Sequence, residues 1–129
     1  MKILVMDLDG TICIDDSSAD YSDRKPRDDV VNLIKKYKID GFKIVISTAR
    51  NMRTYNGNIQ LINTNTLPII ISWLEKHNIP YDEILVGKPW CGNDGFYVDD
   101  KAIRPSEFIN NSYEDILKIL NHETSISKV

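Results

Sequence analysis

Short apolar runs rich in β-branched residues punctuate this chain: Ile3-Leu4-Val5-Met6, Lys43-Ile44-Val45-Ile46-Ser47, Glu83-Ile84-Leu85-Val86 and Phe96-Tyr97-Val98. Their length and lack of strict alternation suit strands covered on both faces. Between them the apolar positions recur at helical spacing, chiefly over Asp29 to Tyr37, Leu67 to His77 and Tyr113 to Leu120. Strand and helix in alternation predict an α/β fold with a parallel sheet and helices on both faces. Pro68 suits a first helical turn, Gly41 a helix stop, and Ser112 with Asp115 a variant capping box. Trp73 shares a helical stripe with Ile70, Leu74 and His77 and reads as core packing, whereas His77 and His122 read as caps or solvated side chains.

Each run ends on reactive side chains. The first stops at Asp7-Leu8-Asp9-Gly10-Thr11-Ile12, the second at Ser47-Thr48-Ala49-Arg50, the third at Gly87-Lys88-Pro89 and the fourth at Asp99-Asp100. In a parallel sheet the carboxyl ends of the strands share one edge, where ligands bind. Residues two apart in an extended segment point the same way, so Asp7 and Asp9 are expected to face that edge together. An Asp-x-Asp-Gly string also opens a calcium loop, but such a loop needs a carboxylate at its twelfth position, where Ser18 stands. Several carboxylates in one cleft repel unless a divalent cation sits among them, and oxygen-only donors suit Mg²⁺. A lysine and a threonine add what a bound phosphoryl group requires, charge balance and a hydrogen bond.

Asp7-Leu8-Asp9-Gly10-Thr11, Thr48, Lys88 and Asp99-Asp100 together resemble the successive motifs of the haloacid dehalogenase superfamily. Ser47 to Tyr55 and Val86 to Gly92 further resemble a bacterial subgroup of capsule-biosynthesis phosphatases, and the likeness runs over roughly residues 1–120. The resemblance implies a three-layer Rossmann-like domain and a Mg²⁺-dependent phosphomonoesterase that works through an aspartyl-phosphate. Asp7 would be the nucleophile and a metal ligand. Asp9 would be the general acid and base, binding Mg²⁺ through its backbone carbonyl. Thr48, rather than Ser47, would hold the phosphoryl oxygens, although Ala49 replaces the family's frequent Gly. Lys88 would stabilise the phosphoryl group, Asp100 would complete the metal site and Asp99 would orient Lys88. Retention of Asp9 points to phosphoryl chemistry rather than dehalogenation.

Cys13 to Pro26 and Asn51 to Thr66 are short, polar stretches that read as loops or small flaps, leaving a minimal cap or none. An open site takes either a large substrate or a lid supplied by loops or by the neighbour in a homo-oligomer. The 16 basic residues against 19 acidic ones, net −3, disfavour a nucleic-acid partner. Arg24, Lys25 and Arg27, with Arg50 and Arg53, would grip an anionic small molecule, or be ordinary solvated charge. Trp90 follows Lys88 in its loop, where it either stacks on a sugar or base or packs beneath the loop.

With 129 residues, 42% of them hydrophobic, the chain can bury one core, so a single domain over 1–129 with a polar tail over 121–129 is expected. No segment is apolar enough to span a membrane, and a cytoplasmic protein with Cys13 and Cys91 as reduced thiols is the expectation. The favoured activity is hydrolysis of a small phosphorylated metabolite such as a sugar phosphate. A phosphatase acting on a nucleic-acid end and a binding protein that has lost turnover are the competing readings.

Overall fold

A computed structural model describes residues 1–128 and divides the chain into two compact units, Met1–Trp90 and the segment from Cys91 onward. In the first, β1 (Ile3–Met6), β2 (Lys43–Thr48) and β3 (Glu83–Val86) form a parallel sheet in the order β1-β2-β3. Leu4 pairs with Ile44 and Met6 with Ile46 on one side of β2, while Ile46 pairs with Ile84 and Thr48 with Val86 on the other. Partners in a parallel ladder share a face, so these residues form one apolar surface. Both crossovers step in the same direction across the sheet, and right-handed connections place their helices on the same side. Accordingly Met6, Ile44 and Ile46 are buried. Val45, on the opposite face of the central strand, is buried as well, while Ile3, Val5 and Leu85 on that face are 47–61% exposed.

The first crossover is α1 (Asp28–Ile39), which buries Val30, Val31, Ile34 and Tyr37. Asp28 and Asp29 in its first turn and Lys36 and Lys38 in its last complement the helix dipole. Gly41 terminates it at φ +94°, a conformation that a Cβ would oppose. The chain then folds Phe42 edge-on against Tyr37, with ring centroids 4.8 Å apart, and enters β2. Asp82 ties the last turn of α1 to β2. Its carboxylate accepts from Lys38 Nζ at 2.6 and 2.7 Å and from the Ile44 backbone N–H at 2.8 Å.

The second crossover holds two helices. α3 (Leu67–Lys76) has Pro68 in its first turn and buries Ile70, Trp73 and Leu74, as its sequence pattern predicts. Ahead of it lies α2 (Ile59–Asn65), in a stretch expected to be loop. Asn58 caps α2 by accepting from the Leu61 N–H at 3.1 Å. This helix is under two turns long and buries only Ile62, so no periodicity marks it in the sequence.

In the second unit, α4 (Pro105–Asn110) was not anticipated, and α5 (Tyr113–Ser127) continues past Leu120 to Ser127. Ser112 caps α5 by accepting from the Asp115 N–H at 3.2 Å. The fourth apolar run does not form a strand: Phe96, Tyr97 and Val98 are irregular, with Phe96 79% and Val98 88% exposed. Three apolar residues carry too little pairing to specify a strand by themselves. Just before them Gly95 lies so close to the Cys91 carbonyl that only a residue without a Cβ fits. No helix among the described residues is long and apolar enough to cross a membrane.

Asp82 makes the first unit sensitive to acid. The hydrogen bonds from Lys38 and Ile44 hold its carboxyl below the usual range. A group whose pKa falls on folding adds stability above its unfolded value, near 3.9, and loses it as pH drops through the folded value. Asp82→Asn should therefore lower Tm at neutral pH and flatten the decline of Tm between about pH 5 and pH 2. Parallel thermal melts of the two proteins across that range would reveal an unchanged acid limb if the clip contributes nothing.

Candidate active site

The turn that follows β1 is organised by one carbonyl. Leu8 accepts from the N–H groups of Thr11, Ile12 and Cys13 at 3.2, 2.9 and 3.1 Å, and Gly10 takes φ +81° to close the turn. Leu8 and Ile12 are fully buried beneath it. The polar residues that flank Leu8 meet different partners. Asp7 accepts from Thr11 Oγ1 at 3.1 Å through Oδ2, and Lys88 Nζ lies 3.6 Å from its Oδ1. Lys88 reaches this point because its own N–H donates to the Thr48 carbonyl at 3.2 Å, which carries the β2–β3 pairing one step past Val86. Gly87 makes the intervening bend at φ +87°.

Asp9 is the centre of a second cluster. Arg50 binds it with both arms of its fork, Nε to Oδ2 at 3.0 Å and Nη2 to Oδ1 at 2.8 Å. Arg24 Nη1 donates to the same Oδ1 at 3.0 Å and to Asp15 Oδ1 at 3.0 Å, and the Cys13 thiol donates to Asp9 Oδ1 at 3.2 Å. Both guanidinium groups stack on the ring of Tyr21, with Arg24 Cζ 4.3 Å and Arg50 Cζ 4.1 Å from its centroid. Arg24 is 9% exposed and Arg50 5%. Among the described residues Arg24 Nε and Arg50 Nη1 are buried without a hydrogen-bond acceptor, so the aromatic face compensates charge that hydrogen bonds leave over.

Burial works to raise the pKa of Asp9, but the hydrogen bonds and charge of Arg50, the Cys13 bond and the charge of Arg24 outweigh it and hold the carboxyl below the usual range. Asp9 is thus a carboxylate at neutral pH. Cys13 shows the converse. Burial, then the neighbouring Asp9 charge and the hydrogen bond to it, push the thiol up to about 12. A thiol with such a value is neutral and unreactive.

Thr48 is 1% exposed, and its Oγ1 accepts from the Arg50 N–H at 3.1 Å, which fixes the turn after β2. Ser47 is half-buried on the other face of the strand. Asn51, next to Arg50, adopts φ +63° and is anchored by the Thr66 hydroxyl, which donates to its Oδ1 at 2.7 Å. Trp90 is 45% exposed, with the Arg53 guanidinium carbon 5.5 Å from its ring centroid.

The structure therefore gathers Asp7, Asp9, Thr48, Arg50 and Lys88 around the ends of three strands. Asp99 and Asp100 belong to the second unit, where both are exposed and Asp99 Oδ1 accepts from the Lys101 N–H at 2.8 Å. Among the described residues no three His, Cys, Asp or Glu side chains are grouped to hold a metal ion. Sequence reasoning missed Tyr21 and the role of Arg24, which it took for a substrate grip or solvated charge. Arg24 is instead buried and tied to Asp9. The one local signal was its place in a polar stretch with an aromatic, too weak to single it out. His77 is the C-cap of α3, one of the two roles its sequence position suggests, and its ring packs on Trp73 at 4.8 Å with Nε2 buried.

A three-stranded parallel α/β sheet with an acid pair after its first strand and a lysine after its third defines the class of a Rossmann-like hydrolase. A family model for haloacid dehalogenase-like hydrolases matches residues 4–128, and the chain belongs to that family. It is 58% identical to a Vibrio cholerae protein of known crystal structure, with a TM-score of 0.92 over 95% of this chain and 99% of that one. A chain in the Pnkp1/Rnl/Hen1 complex shares the fold at a TM-score of 0.51 and 22% identity, over 85% of this chain and 34% of that one. No curated protein matches the chain significantly.

Two expectations follow from this geometry. A Cβ at Gly87 would meet Ile59 Cδ1 at 2.6 Å in addition to the unfavourable φ, so Gly87→Ala should cost about 1–2 kcal/mol in chemical denaturation, and an unchanged midpoint would refute the constraint. A thiol reagent at pH 8 should modify Cys91 but leave Cys13 intact until the protein unfolds, as peptide mapping before and after denaturant would show. Labelling of Cys13 in the native state would contradict its locked, protonated character.

Proposed function

We propose that this protein is a Mg²⁺-dependent phosphomonoesterase that hydrolyses a small phosphorylated metabolite in the cytoplasm. The observation that carries the reading is the approach of Lys88 Nζ to Asp7 Oδ1 at 3.6 Å, with Thr11 on the other oxygen and Asp7 37% exposed. A carboxylate left accessible beside an ammonium is a nucleophile with a charge-balancing partner for the group it attacks. Asp9, a carboxylate in the free protein, first takes up the proton of the entering phosphate monoester monoanion. Asp7 Oδ attacks phosphorus, the bond from phosphorus to the ester oxygen breaks, and the departing alkoxide takes that proton from Asp9. Water then attacks the aspartyl-phosphate, gives its proton back to Asp9 and frees inorganic phosphate and the Asp7 carboxylate.

The donor set is compatible in kind with Mg²⁺, which binds through one or two carboxylates and keeps several waters. Asp9 has its carboxylate committed to Arg24 and Arg50, which leaves its main-chain carbonyl for the ion. Asp7 would supply a carboxylate, and the resemblance to the haloacid dehalogenase motifs alone assigns a second one to Asp100 and the orientation of Lys88 to Asp99. The ion, when bound, would neutralise phosphoryl charge. Thr48, rather than Ser47, would supply a hydroxyl contact to the phosphoryl oxygens, and Arg53 and Trp90 would meet the rest of the substrate at the exposed rim. Arg50, whose sequence position suggests a substrate contact, instead directs its Nε and Nη2 donors to Asp9. The unpaired Cys13 and Cys91 suit a reducing compartment. A sugar phosphate of surface polysaccharide assembly is the favoured substrate class, on resemblance to the capsule-biosynthesis subgroup.

Phosphate release from sugar phosphates, nucleotides and small alcohol phosphates, with Mg²⁺ or with chelator, tests the assignment. Turnover should require the metal and fall by more than about 10³-fold in Asp7→Asn. No release from any ester, or equal release by the mutant, would overturn it. Titrating Mg²⁺ against Asp100→Ala and Asp99→Ala should show the larger rise in metal requirement for Asp100→Ala, and matching titrations would refute the ligand assignment.

A further inference from the structure

We propose that Arg24 is a positioning residue that holds Asp9 in place for the hydrolysis of the aspartyl-phosphate; the inference rests on the phosphatase reading above. Arg24 comes from the stretch after the first motif, which in sequence reads as a solvent loop. That stretch is fastened at several points. Ile14 N–H donates to the Lys25 carbonyl at 2.8 Å, Arg27 N–H to the Ile12 carbonyl at 2.8 Å, and Cys13 and Pro26 form an antiparallel bridge. At the neck of this hairpin the indole N–H of Trp73, from the middle of α3, donates to the Arg24 carbonyl at 2.7 Å. Trp73 is 2% exposed, so the bond is sheltered from competing water.

The backbone of Arg24 is thus fixed from the core while its side chain reaches Asp9, and Tyr21 from the same hairpin lies against both guanidinium groups. Arg50 alone could bind Asp9 as a fork yet pivot about its own stem. A second guanidinium from an independent element stops that rotation, because Oδ1 must satisfy Arg24 and Arg50 at once. In the second half-reaction the oxygen of water attacks phosphorus, the bond from phosphorus to the Asp7 oxygen breaks, and the water proton passes to the Asp9 carboxylate. That transfer depends on where Asp9 points. A Trp-anchored hairpin is therefore a part of the catalytic apparatus that does not touch the substrate.

The test is rapid-quench and steady-state kinetics with p-nitrophenyl phosphate and Mg²⁺, on wild type, Arg24→Met and Trp73→Phe. In Arg24→Met the steady-state rate should fall by roughly 10–100-fold, the size of a proton-transfer contribution. An initial burst approaching one p-nitrophenolate per site should precede it, with acid-stable quenching showing phosphate on the protein. Trp73→Phe, which removes the anchoring N–H together with part of the indole but keeps an aromatic ring in the core, should show the same burst with a several-fold slower steady state, and it carries the test if Arg24→Met does not fold. A rate that falls without a burst, or does not fall in a folded variant, overturns the positioning role. If wild type lacks turnover that depends on Asp7, it is the phosphatase reading that fails, and this inference with it.

Discussion

The site depends on a buried charge balance: Asp9 is shared by two guanidinium groups that the fold has withdrawn from water. Arginine in such a position is tolerable only when its donors meet a carboxylate or an aromatic face, and removing one partner from a buried pair typically costs about 3–5 kcal/mol. Arg24 and Arg50 are therefore bound to Asp9 for stability as much as Asp9 is bound to them for geometry. The arrangement ties together three elements that would otherwise be independent. The turn after β1 brings Asp9, the turn after β2 brings Arg50, and the hairpin brings Arg24.

Much of this was legible in the chain. Three strands and three helices follow from runs and periodicity, and Gly41, Pro68 and Ser112 mark helix ends where they stand. Asp7, Thr48 and Lys88 are readable because each sits at a strand end, and strand ends of a parallel sheet meet. The Asp9 cluster was not readable in the same way. Arg24 lies 15 residues from Asp9 and Arg50 lies 41, and the Trp73 anchor of Arg24 is 49 residues from it. Trp73 shows the limit well: its apolar stripe announces core packing, but nothing local announces where a single N–H is spent.

The misreadings have physical causes of their own. α2 is too short for its pattern to stand above the noise, and its start is set by Asn58, one polar residue among several. Phe96 to Val98 reads as a strand because β-branched and aromatic residues favour strands, yet such propensity mostly reflects packing against neighbours. With Phe96 and Val98 exposed, that packing is missing.

The contrast between the two acids of the first motif explains why the pattern needs both arginine and lysine. Leu8 is buried between them, so Asp7 and Asp9, although only two residues apart, are served by separate cations. Asp9 receives the planar fork of Arg50 and a single bond from Arg24, which together fix the plane of its carboxylate. Asp7 receives an ammonium at 3.6 Å, a point charge on a flexible stem that can shift toward a phosphoryl oxygen once one arrives. A guanidinium fork on Asp7 would occupy the oxygen lone pairs that a nucleophile must present, and a lone lysine on Asp9 would leave its orientation free. Within the reading of this protein as a phosphatase, the choice of cation at each acid follows from whether that acid has to attack or has to hold still.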